Sequence, residues 1–74
     1  MHLDKFIPIF QDLLQRDEPV FATDTLADME EWDSLAIMAL IAWFDKNCNL
    51  HLTFPDCKAL RTVADVAALA KIRA

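Results

Sequence analysis

The first part of the chain repeats apolar side chains with the period of a helix. These residues recur at intervals of three and four positions: Leu3, Phe6, Ile7, Phe10, Leu13 and Leu14. This spacing is typical of the buried face of an amphipathic helix. Proline is tolerated near a helix start, so Pro8 indicates a first turn close to Asp4–Phe6. Pro19 disfavours helical backbone at Glu18, and we expect the helix to end before this proline.

A long and mostly irregular connection is predicted over residues 19–32. Two of its apolar residues, Leu26 and Met29, are expected to fasten it to the core. Connections of this length in a small domain are often functional. The loop is therefore a candidate for a functional role.

The most apolar segment of the chain predicts a second helix from Ser34 to about Asn47. One stripe of this helix carries Ile37, Ile41, Phe44 and Cys48, with Met38 and Leu40 beside it. The chain contains no glycine. Asparagine tolerates left-handed backbone, so Asn47 or Asn49 is expected to end this helix in place of glycine.

The remaining residues predict an extended segment, a short helical turn and a final helix. Leu50 and Leu52 alternate with polar residues, but no second strand is predicted to pair with them. Pro55 opens a short helical turn over Asp56–Leu60. A capping box then places Thr62 at the N-cap and Asp65 three positions later, where aspartate should give a weaker reverse bond than glutamate or glutamine.

The final helix completes the predicted architecture. It is carried by Val63, Val66, Ala67 and Ala70, with Lys71 and Arg73 near its end. Basic residues suit the negative end of a helix. The predicted fold is therefore all-α, a small four-helix bundle of three longer helices and one short helix. We expect a single domain over residues 1–74.

Composition and charge narrow the range of functions. The 74 residues carry twelve acidic and seven basic side chains, for a net charge of -5. Nucleic acid is not expected as a partner, because phosphate binding needs a basic patch. Partners with basic surfaces fit this charge better. The apolar fraction of 55% is high enough for a packed core.

The cysteines and the apolar segments indicate where in the cell the protein is expected. Cys48 and Cys57 form no CxxC pair, and two histidines supply no zinc spacing, so no metal site is expected. A single disulfide is possible, but two free thiols in a reducing cytoplasm are the favoured interpretation. The start of the chain does not match a signal peptide. The longest apolar run, Leu35–Phe44, is shorter than the roughly 20 residues that span a bilayer. We therefore expect a soluble, cytoplasmic monomer.

Ser34 follows Asp33 at the predicted helix start, and three interpretations are open. Both residue types are preferred N-caps, so the serine can be a plain cap. A catalytic serine is disfavoured, because the flanks do not form a nucleophile elbow and His51 is expected about 20 Å away. The third interpretation is an attachment point, since a helix N-terminus suits a phosphate ester.

The segment Asp33-Ser34-Leu35, followed by a helix, resembles the attachment motif of acyl carrier proteins. The segment CKALRTVADVAALA, from Cys57 to Ala70, is similar to the third helix, the Thr-Val-x-Asp-Val junction and the fourth helix of that family. The first helix, the long loop and the total length also fit. The resemblance covers nearly the whole chain.

The resemblance implies a covalent 4'-phosphopantetheine arm on Ser34, added from coenzyme A by a phosphopantetheinyl transferase. The arm would hold acyl groups as thioesters for acyl-loading and acyl-transfer enzymes of fatty-acid, polyketide or related pathways. The protein would be a carrier without catalytic activity of its own. Asp33 would help the transferase recognise the site, and Leu35 and Met38 would offer partners an apolar contact.

The loop before the serine departs from the pattern of this family. Members usually have glycine two residues before the aspartate, where this chain has Glu31. Trp32 is expected either to pack over the attachment site or to lie in the core. Acidic residues cluster before the serine, at Asp24, Asp28, Glu30, Glu31 and Asp33.

The second helix also departs from the pattern. Family members carry acidic residues on its outer face, where this chain has Ala36 and Ala39, and Trp43 continues that face one turn on. We therefore expect an apolar, solvent-facing contact surface. Its predicted members are Trp32, Ala36, Met38, Ala39 and Trp43.

Other functions remain open at this stage. A peptidyl or aminoacyl carrier has the same fold, but its motif more often has two glycines before the aspartate and serine. A protein of another class would be an unmodified helical interaction module in which Ser34 is only a cap. A small serine hydrolase is disfavoured because the chain offers no base near Ser34.

Overall fold

The predicted helical bundle is confirmed by a computed structural model, which describes the backbone of residues 2–73 and the side chains of residues 2–69. Its helices are α1 (Leu3–Leu14), α2 (Ser34–Cys48), α3 (Phe54–Lys58) and α4 (Val63–Arg73). Three are longer and one is short, as predicted. Among the described residues, no helix is both long enough and apolar enough to cross a membrane.

Helix α1 begins within one residue of the predicted first turn, Asp4–Phe6. It starts at Leu3, so Pro8 lies in the second turn and not near the start. The missing proline amide leaves the Asp4 carbonyl without its helical partner. Both residues are exposed, so water can reach that carbonyl. The helix ends before Gln15, which adopts left-handed backbone with φ of 54°.

The loop between α1 and α2 is fastened to the core as predicted. Leu26, in a 3₁₀ turn over Leu26–Asp28, and Met29 are both buried. The Leu26 amide donates to the Arg61 carbonyl at 2.9 Å, and an isolated bridge joins Thr25 to Thr62. The loop therefore docks against the segment that leads into α4.

The end of α2 and the start of α3 are each marked by a local sequence signal. Asn49 stops α2 with left-handed backbone, φ of 52°, which confirms one of the two predicted stops. Helix α3 covers Phe54–Lys58 and not Asp56–Leu60. Its start is shifted because Thr53 and Asp56 form a capping box that the sequence analysis missed.

The capping box predicted before α4 is present. The Asp65 amide donates to Thr62 Oγ1 at 3.3 Å, and the Asp65 carboxylate accepts from the amides of Thr62 and Arg61, each at 3.1 Å. Val63, Val66 and Ala67 are buried as predicted. The predicted side chains Ala70, Lys71 and Arg73 lie outside the described side chains.

Aromatic rings join α1 to α2 at the centre of the core. Phe6 stacks on Phe10 with ring centres 5.8 Å apart and contacts Trp43 edge-on at 5.6 Å. Phe44 lies against both Phe6 and Trp43, at 6.2 and 5.2 Å. The fully buried core contains no polar or charged residue in the described part of the chain. Apolar burial therefore supplies most of the driving force for folding.

Candidate functional site

Asp33, and not Ser34, is the N-cap of α2. Its backbone is extended, its Oδ1 accepts from the Ala36 amide at 3.0 Å, and its carbonyl accepts from the Ile37 amide at 3.0 Å. These bonds satisfy the amides that an N-cap is expected to serve. The interpretation of Ser34 as a plain cap is therefore wrong, because the preceding aspartate already fills that position.

Ser34 is the first helical residue of α2 and is exposed. Its hydroxyl has no hydrogen-bond partner among the described residues. The amides of Ser34 and Leu35, at the first two helical positions, have no acceptor within the helix. A free hydroxyl thus lies beside two unpaired N–H groups and the positive end of the helix dipole, an arrangement that favours a negatively charged substituent.

An ion pair anchors the loop that leads into α2. Arg16, just after α1, has a mostly buried side chain that meets Glu31 at 2.6 Å and Glu18 at 3.3 Å. Local backbone bonds and the contact with Arg16 keep the pKa of Glu31 below its ordinary value, although burial acts against them. Neither Glu31 nor Trp32 has positive φ. The chain therefore turns into the helix without the glycine that the family usually has.

Trp32 combines the two locations proposed for it. Its half-buried ring lies 5.9 Å from Phe10, so one edge belongs to the core. It also lines a shallow cavity of about 430 Å³ together with Asp33, Ser34, Ile37 and Lys58. The cavity thus places a tryptophan and a lysine beside the candidate serine. The sequence analysis did not identify Lys58 as a site residue, because a basic residue in a short helix carries no distinguishing signal.

The outer face of α2 differs from the prediction. Ala36 is only 6% exposed and belongs to the core, since it lies one turn before the fully buried Leu40. Ala39 is half-buried, and Trp43 is half-buried against Phe6 and Phe44. The placement of Ala36 on the solvent side is therefore wrong, whereas Ala39 and Trp43 are partly exposed at the edge of the core.

The exposed apolar side chains of α2 lie elsewhere on the helix. Leu35 is 76% exposed and Met38 is 58% exposed, and the smaller Ala42 is also exposed. Positions three and four apart on a helix are neighbours. Leu35, Met38 and Ala42 therefore form one stripe, called here the apolar stripe, which begins beside Ser34.

The acidic cluster divides into structural and exposed members. Asp24 accepts from the Phe21 amide at 2.8 Å, and Glu31 is bound by Arg16. Three members line an open groove of about 560 Å³ between the end of α1 and the start of α2: Glu30, Glu31 and Asp33. Leu13, Leu35 and Ala39 supply apolar walls to this groove.

The remaining titratable groups offer Ser34 no catalytic partner. His51 pairs with Asp45 at 2.8 Å, near the far end of α2 from the serine. Cys48 and Cys57 are free, and burial raises the pKa of the Cys57 thiol. In the described residues, no cluster of metal-ligating side chains is present.

The fold and the site together define a class of protein. An exposed serine on the first turn of the second helix of a four-helix bundle is suited to carry a group that another enzyme attaches. The family model for the phosphopantetheine attachment site matches residues 4–70, and the chain belongs to this family. Its members bind 4'-phosphopantetheine covalently, which makes this chain a carrier domain.

A comparison with solved structures supports the same conclusion. The chain is similar to a Mycobacterium tuberculosis protein that is assigned as an acyl carrier protein. The two share 25% sequence identity and a TM-score of 0.73, over 96% of this chain and 97% of the other. No curated protein matched the chain in the corresponding search.

The residues at the start of α2 fit the group that the family carries. A phosphodiester needs a free hydroxyl, hydrogen-bond donors and space, and Ser34 has all three. The amides of Ser34 and Leu35 face no competing acceptor from the helix. The bound group supplies a thiol that holds an acyl chain as a thioester.

Proposed function

We propose that this protein is an acyl carrier whose 4'-phosphopantetheine arm is attached to Ser34. The observation that carries the proposal is the position of this serine. It is the first residue of α2, its side chain is exposed, and Asp33 performs the capping that would otherwise engage the hydroxyl. Ser34 is also the one serine in the sequence.

The attachment reaction needs no catalytic group from this chain. Ser34 Oγ forms a bond to the phosphorus that bears the pantetheine part of coenzyme A. The phosphoanhydride bond of coenzyme A breaks, adenosine 3',5'-bisphosphate leaves, and the serine proton passes to a base on the transferase. In this proposal Asp33 aids recognition by the transferase and orients the helix start through its bond to the Ala36 amide.

Partner enzymes in this proposal contact the apolar stripe. Leu35 and Met38 are the large exposed hydrophobic side chains beside the attachment site. Ala39 lies between this surface and the open groove lined by Glu30, Glu31 and Asp33, called here the acidic groove. Exposed apolar patches commonly mark contact sites, and the acidic groove suits basic side chains on the rim of a partner.

Acyl chains of fatty-acid, polyketide or related pathways are the proposed cargo. A peptidyl or aminoacyl carrier is the alternative from the same family. The Glu31-Trp32 pair before Asp33 disfavours that alternative, because two glycines are more usual there. The protein acts as a carrier and leaves the chemistry to its partner enzymes.

Intact mass measurement tests the attachment. The protein is incubated with coenzyme A and a broad-specificity phosphopantetheinyl transferase. We expect the wild type to gain the mass of one phosphopantetheine and Ser34→Ala to gain none. Thr23→Ala is the matched control, because Thr23 is an exposed loop hydroxyl before α2, and it should be modified like the wild type.

Two results would contradict the proposal. Modification of Ser34→Ala would place the arm on another residue. A folded wild type that stays unmodified with several active transferases would favour an unmodified interaction module. Loading of the modified protein with acyl or aminoacyl groups by candidate enzymes then separates the acyl carrier from the peptidyl carrier.

A further inference from the structure

A lysine from α3 lies at the rim of the cavity that contains the candidate attachment serine. Lys58 lines this cavity with Trp32, Asp33 and Ser34. Its Nζ also lies 5.7 Å from the centre of the Phe54 ring, one helical turn earlier. Packing of α3 against α2 thus brings a lysine to the same cavity as a serine that is distant in sequence.

The charge of Lys58 is not used by a carboxylate elsewhere in the fold. Among the described residues, the ion pairs involve Arg16 and His51, and none involves Lys58. The contact with Phe54 is at the long end of the range for a cation and an aromatic ring, and it is weak at an exposed site. The lysine is therefore available to bind an anion at the cavity.

Carboxylates near the start of α2 partly oppose the attraction that the helix dipole and the free amides exert on a phosphate. Asp33 holds its carboxylate against the Ala36 amide at 3.0 Å, directly before the serine. Glu30 is exposed on the loop just before this position, whereas the nearby Glu31 is paired with Arg16. A phosphodiester on Ser34 would add a charge of the same sign, and like charges at short distance repel. A cation in the same cavity offsets this repulsion.

We propose that Lys58 binds the phosphate of the arm on Ser34. This inference rests on the proposed attachment at Ser34. The lysine ammonium has three donors that can reach phosphate oxygens. Together with the free amides of Ser34 and Leu35, Lys58 holds the root of the arm in the cavity beside Trp32. The rest of the arm stays free to reach partner enzymes.

A thermodynamic cycle between the arm and the lysine tests this contact. Urea unfolding is measured for the unmodified and the modified protein, in the wild type and in Lys58→Gln. Attachment should stabilise the wild type. The gain is the unfolding equilibrium constant of the unmodified protein divided by that of the modified protein. This ratio should be about two- to fivefold smaller in Lys58→Gln than in the wild type, the range for an exposed ion pair. The difference should shrink in high salt.

Two further variants separate this contact from a general effect of charge. Lys58→Arg keeps the charge and should retain the wild-type gain. Lys46→Gln removes an exposed lysine from the last turn of α2, at the end opposite Ser34, and should also retain the gain. In NMR spectra, the side-chain signals of Lys58 should shift on attachment, whereas those of Lys46 should not.

The outcomes distinguish this inference from the proposed function. Full attachment by mass, with equal gains in the wild type and Lys58→Gln and no shift of the Lys58 signals, would overturn the lysine contact alone. A wild type that is not modified would overturn the attachment at Ser34 and the lysine contact with it. A smaller gain in both Lys58→Gln and Lys46→Gln would also overturn the specific contact, because it indicates a long-range effect of net charge.

Discussion

At the scale of single residues, the carboxylate of Asp65 shows how a short side chain stabilises a helix start. It accepts hydrogen bonds from the amides of Thr62 and Arg61, and Thr62 Oγ1 accepts from the amide of Asp65. These bonds satisfy amides that have no partner within α4. The two side chains thus share one structural role.

Thr62→Ala should lower the free energy of unfolding by about 0.5–2 kcal/mol, because the Asp65 amide loses its side-chain acceptor, Thr62 Oγ1, and keeps only the Thr62 carbonyl. The urea midpoint measures this change. Thr23→Ala is the control, since Thr23 is an exposed hydroxyl in a loop. An unchanged midpoint in Thr62→Ala would remove the capping role. Attachment at Ser34 should persist wherever the variant is folded.

Asp65 should also make stability depend on pH in acid. Hydrogen bonds from the amides of Thr62 and Arg61 hold the pKa of Asp65 below the ordinary aspartate value of 3.8. In the unfolded chain the pKa of Asp65 returns to that value. At a pH between the folded and the unfolded pKa, the unfolded state therefore binds more protons than the folded state. The stabilisation is therefore complete above the unfolded pKa and is lost as the pH falls through the folded pKa.

Urea midpoints of the wild type and Asp65→Asn, measured across this range, check the pH dependence. The wild type should be more stable at neutral pH, and the difference should shrink in strong acid. Hydrogen bonds with Thr53 also lower the pKa of Asp56 in α3. This carboxylate is present in both proteins, so it adds the same pH dependence to each and cancels in the difference. A difference that stays constant from neutral pH to strong acid would contradict the role of the Asp65 carboxylate.

At the scale of elements, α2 has a buried and an exposed residue only two positions apart in sequence. Ala36 is 6% exposed, whereas Met38 is 58% exposed. Ala36→Glu should destabilise the fold by more than about 2 kcal/mol, because it places a charge in the core. Met38→Glu should change stability by only about 0.5 kcal/mol, the usual range at an exposed position.

Loading by a partner enzyme should respond differently from stability. Met38→Glu should impair acyl loading, since it places a charge in the apolar stripe, and loading of the wild type should fall little in moderate salt because apolar contacts are not screened. Unfolding curves and loading rates measure the two effects. Loading that collapses with salt, or that improves in Met38→Glu, would indicate electrostatic docking in place of apolar contact.

The elements also show why sequence patterns predicted their existence better than their ends. The helical period, the Thr62–Asp65 box and the asparagine stop were visible locally. The Thr53–Asp56 capping box of α3 was equally local but was missed. The left-handed stop of α1 at Gln15 had no such signal, because glutamine is not a residue that favours left-handed backbone.

At the scale of the whole molecule, one aromatic cluster connects α1, α2 and the loop before the serine. Phe10 is fully buried and contacts Phe6 and Trp32. A domain of 74 residues has a total stability of roughly 4–11 kcal/mol at about 0.05–0.15 kcal/mol per residue. Loss of a single core ring is therefore a large fraction of the total.

Phe10→Ala should lower the free energy of unfolding by about 3–5 kcal/mol, through lost burial and the cavity it leaves. Phe21→Ala is the matched control, because Phe21 is 61% exposed, and it should have little effect. Urea unfolding followed by tryptophan fluorescence measures both variants. Similar midpoints for the two variants would contradict the central position of Phe10. Attachment at Ser34 should fall in Phe10→Ala in proportion to the unfolded fraction.

The sequence by itself determined the all-α fold, the order of the helices and the resemblance on which Ser34 was singled out. These properties follow from local signals, namely apolar periodicity, capping residues and a short motif at a helix start. Only the tertiary structure decided that Asp33 is the cap of α2, that Ala36 and Trp43 face the core, and that Lys58 lies beside Ser34. The physical reason is that burial and proximity depend on how helices pack, and residues distant in sequence meet only after the bundle has formed.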